Sequence, residues 1–530
     1  MRAAIEWLRA KERQSTVGEA KGATGPDFLA GVSLNDIPEG GTITGRVGDE
    51  PVLLSRFDGD FFAVSGACTH YGAHLADGVV AGASVRCPLH HACFDLRTGE
   101  SRRAPALDPL DCWQVDVDSE KAYVSYKLKR QPDSGPDLES DVRRVVIIGG
   151  GAAGLACANE LRKLGYSGNI TILSADADPP CDRPNLSKDY LAGSAPEEWL
   201  PLRTDDWYSE NRIDLRLSSE VTRIDAGKRT VHCVSGEDFP FDRLLIATGS
   251  EPHRLQAPGF DSDKVFTLRS IADARAIAAQ AKPGARAVII GASFIAMEVA
   301  SALRAREVEV DVVSVEHVPF DRVFGIALGE YIRKVHERNG VRFHLGAVAS
   351  GFDGHAITTA NGEQIPADFV VVGIGVQPRT TLAKSAGMEV DKGIIVDASM
   401  QTSVPGVYAA GDIASYPDPI SGNRMRIEHW VVAERQGEVA AAGMLGQDRS
   451  FTSAPFLWSE QFGTAIRYVG HASNWDHILV DGNMDSGSFT IRYFTAGVHC
   501  ASASVGRDRD NLEDELQLES QINIQAEAVA

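Results

Sequence analysis

Cysteine is scarce in this chain, eight residues in 530. That density excludes a disulfide scaffold, and a reducing compartment would keep most of them as thiols; Cys112, Cys157, Cys233 and Cys500 read as buried thiols. Long apolar runs are also missing. The longest nearly apolar stretch, VVIIGGGAAGLACA, is too short to span a bilayer, and the start, MRAAIEWLRAKERQ, mixes both charge signs without an apolar targeting core. The chain is therefore expected to stay soluble in the cytoplasm. Basic clusters are absent too. With 52 Lys and Arg against 73 Asp and Glu, the formal net charge of -21 would repel nucleic acid and anionic lipid, so neither is expected as a partner.

What is present is length and glycine. A chain of 530 residues exceeds one core and should divide into roughly three or four domains, and its 51 glycines hint at cofactor turns. Residues 1–26 lack a strong period and read as a loose extension. Residues 27–128 carry short strand-like stretches, GTITGRV, PVLLSRF, FFAVSG and CWQVDVD, separated by Gly and Asp turns, which predicts a small all-β domain. KRQPDSGPDLESD, residues 129–141, has linker composition. Beyond it, apolar strand, glycine turn, Ala-rich helix and strand recur at 142–175 and 285–316. The fold class expected is thus multidomain: the β domain, two α/β Rossmann-like domains (142–265 with 386–416, and 266–385), and a small α+β C-terminal domain, 417–530, with a loose tail.

Within the β domain, Cys68-x-His70 and Cys87-x-x-His90 stand close together in GACTHYGAHLADGVVAGASVRCPLHHACFD. Zinc fingers order their ligands Cys-Cys then His-His, so this alternation argues against structural zinc and for a Rieske [2Fe–2S] cluster, in which two thiolates hold one iron and two imidazoles the other. A zinc-holding structural module is the alternative. CTH and CPLHHACFDLRTGE resemble the loops of the Rieske ferredoxin family. Ala73 and Leu89 stand where respiratory members place a bracing disulfide, which implies the lower-potential ferredoxin type. His91 occupies a place where the family has Gly, and is expected to be a loop side chain near the cluster, with His90 the ligand. Cys93 lies close by without a ligand spacing of its own.

Gly149, Gly151 and Gly154 follow a Val/Ile strand and open an Ala-rich helix: the first allows the turn, the second admits a pyrophosphate to the backbone, the third packs helix on strand. Asp176 is placed to bind a ribose, with Asp178 its neighbour and competitor. The second copy is degenerate, with Gly291 kept, Ser293 for the second glycine and Ala296 for the third. Glu316 at the end of its second strand favours NADH over NADPH, and no arginine immediately follows it in sequence.

ATGSEP (Ala247, Thr248, Gly249) and TSVPGVYAAGDIA (Gly411, Asp412) resemble the flavin-domain motifs of the two-dinucleotide-binding flavoproteins. PPCDRPNLSKDYLAG, RIEHWVVAERQG and PFLWSEQFG resemble segments of ferredoxin reductases and apoptosis-inducing-factor proteins. Over residues 27–510 the chain resembles the Rieske-fused, apoptosis-inducing-factor-like branch of NAD(P)H:ferredoxin reductases. That resemblance implies FAD, with Asp412 on its ribityl chain, Lys188 near the reactive flavin edge paired with Glu298, and Trp430 and Trp458 near the ring; Arg183 and Gly375 are counted with the cofactor contacts. Read without it, the two tryptophans are core aromatics and Lys188 and Glu298 solvated charges. Cys181 has no second cysteine at a dithiol spacing, so dithiol chemistry is not expected. The implied activity is transfer from NADH to FAD, then single electrons to the cluster and to a ferredoxin, oxygenase or cytochrome, with the cluster histidines at an exposed tip. A slow NADH-responsive sensor is the alternative, and a homodimer is left open.

Overall fold

The computed structural model describes residues 25–129 and 141–529, with side chains as far as residue 522. The extension and linker expected at 1–26 and 129–141 fall almost wholly outside these residues. Among the described residues no helix is long and apolar enough to cross a membrane.

The strand-like stretches near the start form Thr42–Val47, Glu50–Phe57, Asp60–Ser65 and Cys112–Val117, which join Val32–Ser33 and Lys121–Lys127 in a six-stranded antiparallel sheet. The run PVLL is apolar without alternation because its strand is buried on both faces. Val52 and Leu54 pack with Trp113 and Val124, while Leu53 faces the opposite way with Val64 and Phe94. That second core underlies a four-stranded sheet, Val79–Ala81, Ser84–Arg86, Cys93–Asp95 and Ser101–Arg103, inserted between Asp60–Ser65 and Cys112–Val117. The Cys-x-His and Cys-x-x-His loops flank its first two strands.

Both βαβ patterns form as expected. The first sheet is parallel, in the order Ile213–Arg216, Asn169–Leu173, Arg144–Ile148, Arg243–Ile246 and Val407–Ala409, so a strand from far along the chain completes it. The second repeats the plan with Val265–Phe266, Phe369–Val372, Arg286–Ile290, Glu309–Ser314 and Val341–Leu345. The helices Ala152–Lys163 and Phe294–Ala305 start directly beyond the first βα turn of each.

The C-terminal region is a five-stranded antiparallel sheet, Phe456–Gln461 to Val498–Val505, with a helix, Asp508–Val529, laid against it. As far as residue 522 this helix packs on the sheet. Leu512, Leu518 and Ile522 are buried, but the same face carries buried Asp514 and Glu515, and those charges hide the apolar stripe from a sequence pattern. Cys157 and Cys233 are buried as expected, whereas Cys112 and Cys500 are only partly so.

Candidate functional site

The two Cys/His loops are built alike. Cys68 N–H donates to Ala73 O and Gly72 N–H to Cys68 O, each at 2.8 Å; Cys87 N–H donates to Ala92 O at 2.8 Å and His91 N–H to Cys87 O at 3.1 Å. The fifth residue of each loop has positive φ, +77° at Gly72 and +61° at His91. Hence glycine is the natural occupant of position 91, and His91 takes a conformation that costs an ordinary side chain on the order of 1 kcal/mol. The loops turn the two thiols onto each other, and the hydrogen bond between them pushes Cys68 up and pulls Cys87 down. His70 and His90 bring their Nδ1 atoms to 3.1 Å. Burial holds His70 neutral, its pKa pulled down to about 3, which is the state in which imidazole binds a metal. Among the described residues no three His, Cys, Asp or Glu side chains converge on one point. A two-plus-two donor set fits a binuclear cluster, not a four-ligand ion.

A cavity of about 1320 Å³ lies between the two parallel sheets and the C-terminal sheet. Its first wall is the turn Gly149–Gly151, with Asp176 and Arg183 beside it, Arg183 donating to Asp176 at 3.0 Å. Asp178, the competitor, is held away by Arg275 at 2.9 Å. A Cβ on Gly149 (φ +114°) would meet Ala247 O at 2.2 Å, whereas one on Gly151 would find nothing closer than Arg183 at 3.9 Å. Backbone N–H groups, a helix start and a guanidinium thus face open space, which fits a dinucleotide pyrophosphate. Gly154 is off the wall because its task is packing: a Cβ there would stand 2.0 Å from Gly149 O. Gly154→Ala is accordingly expected to cost about 1–3 kcal/mol of stability and to leave the purified protein with less flavin per chain, read from the ratio of flavin to protein absorbance.

Ala247, Thr248, Gly249, Gly411 and Asp412 line the same cavity, Asp412 accepting from Arg269 at 2.8 Å. Lys188, Glu298, Trp430 and Trp458 line it too, and Lys188 Nζ lies 2.8 Å from Glu298. In the second copy, Ser293 and Gly375 are on the lining, and the Ser293 hydroxyl folds back onto Gly373 O at 3.1 Å. Gly291 (φ +107°) repeats the packing of Gly149, with Gly373 O 2.3 Å from its would-be Cβ. Glu316 lies off the lining at its strand end, and the fold brings Arg322 to 3.6 Å from it, a neighbour that the sequence beside Glu316 does not show. Cys181 is buried, pairs in a short bridge with Pro201, and its thiol is pushed up to about 12 by burial.

The family model of pyridine nucleotide-disulphide oxidoreductases matches residues 143–437, more than half of the chain. The chain belongs to this family. In this oxidoreductase a Rieske [2Fe-2S] domain model also matches residues 29–114, and a reductase C-terminal model residues 456–530. Apoptosis-inducing factor 3 of Homo sapiens is 35% identical over 90% of this chain and 81% of its own length. The ferredoxin--NAD(+) reductase component of the biphenyl dioxygenase system of Paraburkholderia xenovorans (strain LB400) is 36% identical over 68% of this chain and 89% of its own. The solved covalent putidaredoxin reductase-putidaredoxin complex is similar with a TM-score of 0.70 and 31% identity, covering 72% of this chain and 93% of that one.

One expectation is overturned in this oxidoreductase: the cluster histidines are not at an exposed tip. His90 is 6% exposed, and its ring lies 4.2 Å from that of Trp458, a residue of the cofactor cavity in the same chain. Tyr71 stacks on His70 with centroids 4.1 Å apart and hydrogen-bonds Asp182, one residue from Arg183. Arg467 donates to Leu89 O at 3.1 Å and Arg435 to His91 O at 3.0 Å. The His91 ring stacks on Phe456 at 3.8 Å and lies 3.3 Å from Glu515. Glu515 and Glu519, one turn apart on the C-terminal helix, take Arg86 at 2.6 and 2.8 Å; Glu519 also takes Arg103 at 2.6 Å and Glu515 takes Arg435 at 3.2 Å. Burial opposes the Glu515 charge, but His91 and the arginines hold this carboxyl well below its ordinary value. None of these contacts is announced by a motif; the nearest signal is that Tyr71 directly follows His70.

Proposed function

We propose that this chain passes electrons from NADH, by way of FAD, to its own Rieske cluster and on to an external one-electron acceptor, with the middle transfer made inside one chain. The observation that carries this is Trp458, which lines the cofactor cavity on one side and meets the His90 ring at 4.2 Å on the other. The chain is an oxidoreductase of ferredoxin reductase type. When bound, FAD takes a hydride from NADH, and the cluster carries electrons one at a time.

The protein supplies position and field. The open turn at Gly149–Gly151 seats one dinucleotide, and the turn at Gly291–Ser293 orients the second. Lys188, tied to Pro184 O at 3.0 Å and to Glu298, holds a fixed positive charge on the cavity wall, aimed at charge that builds there during hydride transfer. Leu457, Trp430 and Trp458 give that end of the cavity an apolar lining. The Tyr71–Asp182 and Arg–Glu contacts hold the cluster loops against it. The relatives' names speak of ferredoxins and dioxygenase systems, so a ferredoxin, an oxygenase component or a cytochrome is the acceptor to try first.

Anaerobic titration with NADH, following flavin absorbance and the EPR spectrum together, tests the proposal. The flavin should bleach while a Rieske-type signal grows at substoichiometric NADH. A bleached flavin beside a silent, oxidised cluster would refute internal transfer, and zinc in place of iron would refute the cluster. A long-lived reduced flavin with a dimerisation shift would mark the sensor instead.

A further inference from the structure

Behind the Lys188–Glu298 pair runs a line of buried polar groups that the proposed reaction does not yet use. Glu298 Oε2 meets Lys188 Nζ at 2.8 Å and the Ser187 hydroxyl; its Oε1 lies 2.6 Å from Ser459 Oγ. Ser459 Oγ is 2.9 Å from Gln461 Nε2, and Gln461 Oε1 is 3.0 Å from His336 Nε2. Glu298, Ser459, Gln461 and His336 are all buried, and His336 Nδ1 has no hydrogen-bond partner among the described residues, so the line ends there. Burial also keeps His336 neutral, its pKa lowered to about 4.

Counting protons gives the line a direction. An amide nitrogen only donates, so Ser459 Oγ accepts from Gln461 and must spend its single proton on Glu298 Oε1; Gln461 Oε1 accepts, so His336 donates from Nε2. Turning the Gln461 amide over would aim Ser459 lone pairs at a carboxylate oxygen 2.6 Å away, with a lysine already facing the same group. Every proton in the row therefore points toward Glu298, and aligned donors of this kind reinforce one another in a buried setting. The strand Phe456–Gln461 serves two ends at once. Ser459 and Gln461 share one of its faces, and Trp458 lies on the other.

We propose that Ser459, Gln461 and His336 are positioning residues: a one-way row of donors that fixes Glu298 as a carboxylate aimed at Lys188, and so holds the Lys188 ammonium on the cavity wall. This rests on the reading of that cavity as the site where NADH reduces FAD. Removing Ser459 leaves Glu298 short of a partner, and removing Gln461 or His336 frees the next donor in the row to turn; each loosens the hold on Lys188.

The test uses the FAD-loaded full chain and the variants Ser459→Ala, Gln461→Leu, His336→Phe and Ser459→Thr. Ser459→Ala should lower the limiting rate of flavin reduction by NADH about tenfold, the size of one lost buried hydrogen bond to a charged group, with the NADH KM unchanged. Gln461→Leu should lower it less and His336→Phe least, whereas Ser459→Thr, which keeps the hydroxyl, should restore it. The flavin midpoint potential, measured by photoreduction without NADH, should fall in the same order, because a positive charge near the ring is lost. A midpoint potential equal to wild type in Ser459→Ala and Gln461→Leu, or a Ser459→Thr protein as impaired as Ser459→Ala, would overturn the proposal. If NADH fails to reduce the wild-type flavin, the cavity reading falls, and the photoreduction potentials still decide the role of the row.

Discussion

Cys87→Ser will abolish the Rieske EPR signal and NADH-driven reduction of one-electron protein acceptors, while NADH still bleaches the flavin. The effect is local. Cys87 is one of two thiols held in contact by loops whose closing hydrogen bonds are backbone only, so the variant keeps the loop but loses half of one iron's protein ligands. The flavin turn at Gly149–Gly151 belongs to a separate sheet and core, and it is untouched. Iron and acid-labile sulfide analysis, with stopped-flow absorbance for the flavin, checks both halves. Loss of flavin reduction along with the cluster would contradict the division of labour between the two sites.

Glu515→Ala carries the second large effect. It removes the carboxylate partner of Arg435 and leaves Arg86 with Glu519 alone, in a site where Glu515 is 0% exposed, and breaking a buried pair in this way costs about 3–5 kcal/mol. The cost falls on the contact between the cluster domain and the C-terminal region. Two outcomes are expected together: a lower first thermal transition, and slower cluster reduction with flavin reduction unchanged. The pH dependence follows from the direction of the shift. The Glu515 carboxyl is depressed in the folded chain, so its contribution is complete above the unfolded carboxylate value of about 4.3 and is lost as pH falls through the lower folded value. Docking should therefore hold from neutral pH down to roughly pH 4 and weaken only below it. Weakening that sets in at higher pH would point to His91, whose protonated form burial disfavours.

The chemistry-bearing pieces were legible in the sequence where the residues that make them are neighbours. Cys68 with His70, and Cys87 with His90, are pairs two and three residues apart, and the glycine turns are bounded by a strand and a helix of plain periodicity. The docking was not legible. Tyr71 and Asp182 are 111 residues apart, and Arg435 and His91 344 apart. The expectation of an exposed histidine tip failed because nothing local to His90 says that Trp458 covers it. Nothing in the sequence around Glu515 and Glu519 announces that the first is buried and the second half-buried, since the three arginines that neutralise them come from elsewhere. Arg322 escaped notice beside Glu316 because an intervening turn separates them in sequence but not in space.

Transfer within one chain is the claim on which the rest depends, and its signature is kinetic. Anaerobic stopped-flow mixing with NADH, repeated over a wide range of protein concentrations while flavin and cluster absorbance are followed, tests it directly. With transfer inside one chain, the cluster reduction rate follows flavin bleaching and does not change with protein concentration. A rate that rises in proportion to protein concentration would mean that the cluster takes its electrons from another molecule's flavin, and would contradict it.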